Sequence, residues 1–471
     1  MKNIISKLFP YRLYLHIFQL ERYDITRVIP WIFSNFWKRS TQNKKPLIWT
    51  GKTKTLTWIS VLASGMLWGL MVGTGKWVVA WIVFLVVWMQ PYTLIILALG
   101  VLKPYEYLNR ARTIRKTRAR IQSLKKTKVI GIAGSYGKTS VKDILHYLLS
   151  KKYKVLKTPL SYNTIFGIAQ VVDLELNDSY DFFLCELGEF QRGDIAEMCE
   201  MVAPDYGIMT GINDQHLERF KTIENTTATI FELFDYLVKK DQKTIVNFTN
   251  PFIVSEVQKR SSGSMVVSYG EGGAEVSAVN LSFNDKGSRF ILCYKSERIA
   301  VKTGLLGKAH INNILGASAL AIELGVSLNE IRDRLENVPL VSHRFEQIQL
   351  PNGYLLVDNS YSSNSTSFRE SLAILKKLDR KNKILVTPGM VELGSISDTV
   401  HEQLGKLAGE ICTKVILVGD TSRTRSLAHG IGGGGFVFMD NIKNLWQEVE
   451  KLRLDPIDTV ILLENDLPDN Y

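Results

Sequence analysis

The stretch that leaves this chain least freedom is Val129-Ile130-Gly131-Ile132-Ala133-Gly134-Ser135-Tyr136-Gly137-Lys138-Thr139-Ser140. The apolar run Val129 to Ala133 predicts a buried strand, and the pattern from Lys138 to Ser150 predicts a helix. A glycine-spaced turn joins them. Gly134 and Gly137 let backbone N–H groups turn toward an anion, and the helix N-terminus adds positive partial charge. Lys138 is placed to reach terminal phosphates, and the Thr139 hydroxyl to hold Mg²⁺. The spacing departs from the usual Gly-x-x-x-x-Gly-Lys-Ser/Thr, because Ile132 stands where the first glycine belongs. The remaining chain is read as what surrounds a nucleoside triphosphate.

Beyond this turn apolar strands alternate with helical patterns, the signature of an α/β fold. Asp181 to Glu186 predicts a strand with a carboxylate at its carboxyl end, and Tyr206 to Thr210 another, followed by a loop carrying His216. Ligands of open parallel sheets sit at the carboxyl ends of strands. Glu186 and His216 are therefore expected to meet Thr139 around one metal ion. Val276 to Val301 is rich in β-forming residues and predicts a small antiparallel insertion. From residue 336 on, Leu355 to Val357, Lys383 to Val386, Lys414 to Gly419 and Thr459 to Leu463 alternate with helical patterns and predict a second, Rossmann-like α/β domain. Gly432 to Gly435 reads as a plain loop.

The region before residue 129 is different. Leu56 to Val72 and Trp77 to Leu102 carry no charge. Each is near the ~20 residues that a helix needs to cross a bilayer, and the short Gly73-Thr74-Gly75-Lys76 connection makes them a hairpin. Trp58, Trp68, Trp77, Trp81, Trp88 and Tyr92 suit interface anchors, and Pro91 is expected to kink the second helix. Of the formal charge of +12, the basic excess flanks this hairpin: Lys38, Arg39, Lys44, Lys45, Lys52 and Lys54 before it, and ten Lys or Arg from Lys103 to Lys128 after it. Only Lys76 lies between. The positive-inside rule then puts both ends, and the catalytic domains, in the cytoplasm. The expectation is a two-helix protein of the cytoplasmic membrane, with 1–55 basic and amphipathic, 56–102 the transmembrane hairpin and 103–128 a basic linker able to grip anionic headgroups. Domains are expected at 129–335 and 336–471. Nucleic-acid binding by 103–128 is the weaker reading, because no base-stacking module accompanies it. Cys185, Cys199, Cys293 and Cys412 are scattered without a Cys-x-x-Cys, which fits a reducing compartment and argues against zinc or disulfides.

Several short motifs come in one order: Gly134 to Thr139, Asn163-Thr164-Ile165-Phe166-Gly167, Glu186-Leu187-Gly188, Thr210 through His216, Gly307 to Asn313, His343-Arg344-Phe345-Glu346, Asp358 to Asn364, and Gly389 to Gly394. This ordered set resembles the Mur ligase family from about residue 129 to the end. The closest branch is the one that adds D-alanyl-D-alanine to a muramoyl tripeptide. The resemblance implies an ATP-dependent, Mg²⁺-requiring ligase that joins a carboxylate to an amine through an acyl phosphate. It implies that Gly134, Ser135, Tyr136, Gly137, Lys138, Thr139 and Ser140 serve the ATP phosphates, with Lys138, Glu186 and His216 at the chemistry and Thr139, Glu186 and His216 on the metal. Asn313 matches the asparagine that reads adenine, and Arg344 an arginine that helps hold the nucleotide. Asn359 takes a ribose-side position, and Asn163 a substrate-side one.

The chain also departs from the family. Glu232 matches the glutamate of a Lys-x-Glu pattern, but Ile230 fills the place of the lysine that the family carbamoylates. Gly211 replaces an asparagine, Ala309 and His310 a His-Asn pair, and Asn359 the second residue of an Asp-Asp pair. The family's terminal Lys-Gly-Ser is absent, and Leu463-Glu464-Asn465-Asp466-Leu467 stands there. The hairpin occupies the place of the family's uridine-binding domain. The expected partners are accordingly a small-molecule or lipid-linked carboxylate from cell-wall precursor metabolism, an amine (an amino acid or dipeptide) and the membrane itself. The rivals are a poly-γ-glutamate synthase-like ligase and a membrane-bound NTPase acting as a scaffold.

Overall fold

The computed structural model describes residues 10–34, 47–75, 77–89, 91–160, 162–214, 217–260, 265–284, 286–340, 343–361, 364–391 and 393–465. It divides into two compact units, the first ending at Ala111 and the second beginning at Arg112.

The first unit is helical: Tyr11–Leu20, Ile25–Ser34, Gly51–Gly73, Trp77–Met89 and the opening turns of Tyr92–Ser123. Apolar residues at helical spacing in the first helix (Tyr11, Tyr14, Leu15, Phe18) bury themselves against Val28, Leu56, Ile95 and Ala98. Part of the segment expected to be basic and amphipathic thus belongs to a small helical unit and builds its core; residues 1–9 and 35–46 lie outside the described residues. The chain does turn back on itself, since Lys52 pairs with Glu106 at 2.7 Å. The second arm of the expected hairpin is not one helix. It breaks between Met89 and Tyr92 at Pro91, which lacks an N–H and disfavours helical backbone before it. Among the described residues, Gly51–Gly73 alone is long and apolar enough to cross a membrane. Trp77–Met89, with 13 residues, rises only about 20 Å against a hydrocarbon core of about 30 Å. Through the expected basic linker the helix continues to Ser123, and three of its charges pair within the second unit: Lys116 with Asp173, Arg118 with Glu200, and Arg120 with the carbonyls of Val172 and Leu176.

The second unit holds two sheets. The larger is built from β1 (Lys128–Ala133), β2 (Val155–Lys157), β3 (Phe182–Glu186), β4 (Tyr206–Met209), β5 (Lys243–Asn247), β6 (Val266–Gly270), β7 (Val276–Asn284), β8 (Gly287–Tyr294) and β9 (Glu297–Thr303). Their order is β2-β3-β1-β4-β5-β6-β7-β8-β9. β1 to β7 pair in parallel, while β7, β8 and β9 are antiparallel and continue the same sheet. β1 lies between β3 and β4, so the connections leave it in opposite directions and open a crevice at its carboxyl end. Helix Lys138–Leu149 covers one face through Val141, Ile144, Leu145, Leu148 and Leu149. Helix Ile223–Lys239 covers the other through Ile230, Phe231, Leu233, Phe234 and Leu237.

The smaller sheet comprises β10 (Glu346–Gln349), β11 (Leu355–Asn359), β12 (Asn382–Thr387), β13 (Lys414–Val418), β14 (Phe436–Met439) and β15 (Thr459–Glu464), in the order β10-β11-β15-β12-β13-β14. All pairs except β10–β11 are parallel, and helices Ser365–Lys377, Ser397–Ile411 and Ser422–Ile431 lie between strands in the chain. The fold is α/β with two mainly parallel sheets.

Candidate nucleotide site

The glycine turn sits in the crevice beyond β1. Gly134 and Gly137 have φ of +145° and +80°, which L side chains rarely adopt. A Cβ at Gly134 would lie 2.2 Å from Thr210 Oγ1, and one at Gly137 2.6 Å from Asn313 Oδ1. The turn is pinned from β4: the Ser135 N–H donates to Gly211 O at 2.7 Å, and the Thr210 hydroxyl donates to Tyr136 O. Gly211, where the family has asparagine, leaves room for the Tyr136 ring, because a Cβ there would meet Tyr136 Cζ at 2.3 Å. Burial raises the Tyr136 phenol above its ordinary range.

Behind the turn the charges pair. Thr139 Oγ1 donates to Glu186 Oε2 at 2.9 Å. Lys142 Nζ donates to the same oxygen at 3.0 Å and to Leu160 O, and Asn163 Nδ2 donates to Glu186 Oε1 at 3.1 Å. Lys142 and Glu186 are almost wholly buried. Lys138 Nζ donates to Gly134 O and, at 3.0 Å each, to both carboxylate oxygens of Glu189. Of the expected metal ligands the structure therefore unites Thr139 and Glu186, and it ties Asn163 to them. His216 lies outside the described residues.

Asn313 reaches the turn from helix Lys308–Glu323, as its approach to Gly137 shows. The same helix lines a cavity of about 310 Å³ with Lys308, Ile311, Asn312 and Leu315, closed opposite by Val279 and Asn280 of β7. His310, one turn earlier, is buried; its Nε2 faces Arg344 O at 3.0 Å, and burial pushes its pKa down to about 4. The Arg344 guanidinium lies over the Tyr361 ring at 4.5 Å. Asn359, at the end of β11, turns its amide to Glu464 of β15 at 2.9 Å and to Ser371 at 3.2 Å; no described contact joins it to the phosphate turn. Glu232, left without the family's lysine, accepts from the N–H groups of Gly193 and Ala196 at the start of helix Asp194–Val202.

Lys142 and Glu189 escaped sequence reasoning. A lysine among Val141, Ile144 and Leu145 on a helix that packs on a sheet was the available signal, as was a second glutamate three residues after Glu186.

The residues fit Mg²⁺ and a triphosphate on three counts. The cradle would be filled by a Cβ at either glycine. The buried Ser135 Oγ has no hydrogen-bond partner among the described residues. Thr139 and Glu186 offer the oxygen donors that a hard cation takes.

A glycine turn of this kind at the switch point of a parallel sheet, followed by a second α/β domain, is the arrangement of a P-loop nucleotide-binding fold. Comparison is more specific. Residues 132–321 match the Mur ligase middle domain and 343–463 the Mur ligase glutamate ligase domain. Over these two domains the chain belongs to the Mur ligase family. It is 29% identical over 301 residues to the UDP-N-acetylmuramoyl-tripeptide–D-alanyl-D-alanine ligase of Buchnera aphidicola, a match covering 63% of this chain and 65% of that one. The match thus spans less than two thirds of that relative. In fold it is similar to MurF of Acinetobacter baumannii (TM-score 0.69, 24% identity, 76% and 77% of the two chains). It is likewise similar to the MurF ligase of Thermotoga maritima solved with ADP (TM-score 0.67, 22% identity, 76% and 80%).

Proposed function

We propose that this chain is an ATP-dependent ligase that joins a carboxylate to an amine in cell-wall precursor synthesis. The observation that carries the reading is the meeting of the Thr139 hydroxyl and the Glu186 carboxylate at 2.9 Å beside the phosphate turn and Lys138. Bound Mg²⁺–ATP would supply the phosphoryl group that activates the carboxylate for attack by the amine. The protein's share is positioning and charge neutralisation. Backbone N–H groups of residues 136–139 and Lys138 would hold phosphate oxygens; Thr139 and Glu186 would hold the metal, with His216 as its third ligand; Asn163 faces the carboxylate substrate. Asn313 reads the base, and Arg344 and Asn359 flank the nucleotide from the second domain.

The relatives' names point to a muramoyl tripeptide as the carboxylate and a dipeptide as the amine. Glu464, buried and bonded to Asn359 where the family ends in Lys-Gly-Ser, favours an amine substrate held differently from theirs.

The first unit supports a membrane seat. Trp58, Leu62, Met66 and Leu70 on helix Gly51–Gly73, and Val78, Trp81 and Ile82 on the next, are each more than half exposed. Apolar patches of this extent on a monomer mark a partner surface. Lys54 and Lys103 are exposed beside it and suit an anionic bilayer. On this reading the enzyme works at the cytoplasmic face, and its carboxylate substrate is lipid-linked or otherwise held there.

The test is phosphate release and product mass spectrometry with ATP and cell-wall precursors, soluble and lipid-linked, each with and without an amine. Release that requires both substrates, with an amide product, is expected. Release indifferent to both would replace the ligase by an NTPase, and equal use of a soluble precursor by a hairpin-deleted chain would remove the lipid-linked substrate.

A further inference from the structure

An ammonium group has three N–H donors, and in this structure all three of Lys138 are taken: one by Gly134 O, two by the carboxylate of Glu189. Every described hydrogen bond of the Glu189 side chain comes from Lys138, and that side chain is 2% exposed. The lysine that a triphosphate needs is therefore already committed to an acid. A phosphate oxygen that recruits Lys138 must displace at least one of these bonds.

Displacement leaves a charge problem. Lys138 and Lys142 balance Glu186 and Glu189 while no nucleotide is bound. Free ATP would bring a tetra-anion against two buried carboxylates and draw off the cation that Glu189 has among the described residues. A buried carboxylate stripped of its partner is strongly destabilising. The magnesium complex carries two fewer negative charges and places a cation within the same cluster, so it compensates the group that Lys138 abandons.

We infer that Glu189 is a specificity-determining residue: it holds Lys138 until a cation-complexed nucleotide displaces it, and so makes the site select the magnesium complex over free nucleotide. This rests on the reading of the site as a nucleotide site. It assigns Glu189 a role in admitting the nucleotide and none in the bond-making step.

The test is equilibrium binding of a non-hydrolysable ATP analogue to the full chain in detergent, by calorimetry, once with excess Mg²⁺ and once with EDTA. The wild type is expected to prefer the magnesium complex by about a hundredfold, and Glu189→Gln to cut that preference about tenfold by tighter binding in EDTA. Glu189→Asp restores the wild-type preference. In a Lys138→Met background Glu189→Gln has no such effect, because the competition it relieves is gone. Glu189→Gln that leaves the preference intact, or weakens binding equally in both buffers as a merely structural acid would, overturns the inference alone. A wild-type chain that binds no nucleotide in either buffer overturns the nucleotide reading, and this inference with it.

Discussion

The two units of this chain invert each other's surface chemistry. In the helical unit, large apolar side chains stand in solvent, with Leu70 and Val78 each 73% exposed. In the α/β unit, charged side chains are sealed inside, with Lys142 and Glu186 at 0% and 2% exposure. Either arrangement is costly for a chain alone in water. The helical unit leaves its cost standing, and on the proposal above a bilayer would remove it. The α/β unit has offset its own by pairing each buried lysine with a glutamate, and a nucleotide must break into that pairing. Exposed apolar surface therefore marks where a partner is awaited, and buried ion pairs mark where a ligand must compete.

The comparison breaks most sharply at Lys138. Lys138→Ala should lower substrate-stimulated phosphate release by about a thousandfold or more while leaving liposome binding unchanged; loss of both together would mean that the two units are not separable. Next in size is Lys142→Met. It strips Glu186 of its buried cation, and thermal or urea denaturation should show a loss of about 3–5 kcal/mol; an unchanged midpoint would mean that Lys142 contributes nothing to the pairing. On the other side, Leu62→Glu with Leu70→Glu places acids on the exposed apolar face. At about 3 kcal/mol for each charge moved into lipid, flotation with anionic liposomes should fail while nucleotide affinity stays within about threefold. Flotation that survives both acids would sink the bilayer as partner.

The smallest effect concerns His310. Burial holds its folded-state pKa near 4, below the ordinary 6.5. The folded state therefore binds fewer protons than the unfolded one. Stability from this group is complete above about pH 6.5 and is lost as pH falls toward 4, by up to about 3 kcal/mol. His310→Gln, which keeps a donor for Arg344 O, should flatten that slope in urea titrations at pH 4.5 and 7. An equal slope in both proteins would place the acid sensitivity elsewhere.

Much of the site was legible because its code is local. Gly134 and Gly137 announce the turn, Lys138 and Thr139 follow at fixed helical positions, and Glu186 ends an apolar strand run. The second arm of the hairpin was legible in part: the missing N–H of Pro91 marks a kink in the apolar run, but hydropathy does not say that it separates two helices. Within the basic run after it, the pairings of Lys116, Arg118 and Arg120 were not legible, because charge alone does not say whether a lysine meets a headgroup or, like Lys116, an aspartate 57 residues on.

By itself the sequence determined the phosphate turn, the alternation that makes two α/β sheets, and the uncharged stretches before them. All three are written in neighbours a few residues apart, where strand and helix periods and glycine φ freedom act. Only the tertiary structure decided that Lys138 faces Glu189, that Lys142 faces Glu186, and that Asn359 faces Glu464. These partners are 51, 44 and 105 residues apart in the chain. They meet because β1 pairs with β3 and β11 with β15, and strand order is settled by the packing of whole sheets, which no short stretch of sequence records.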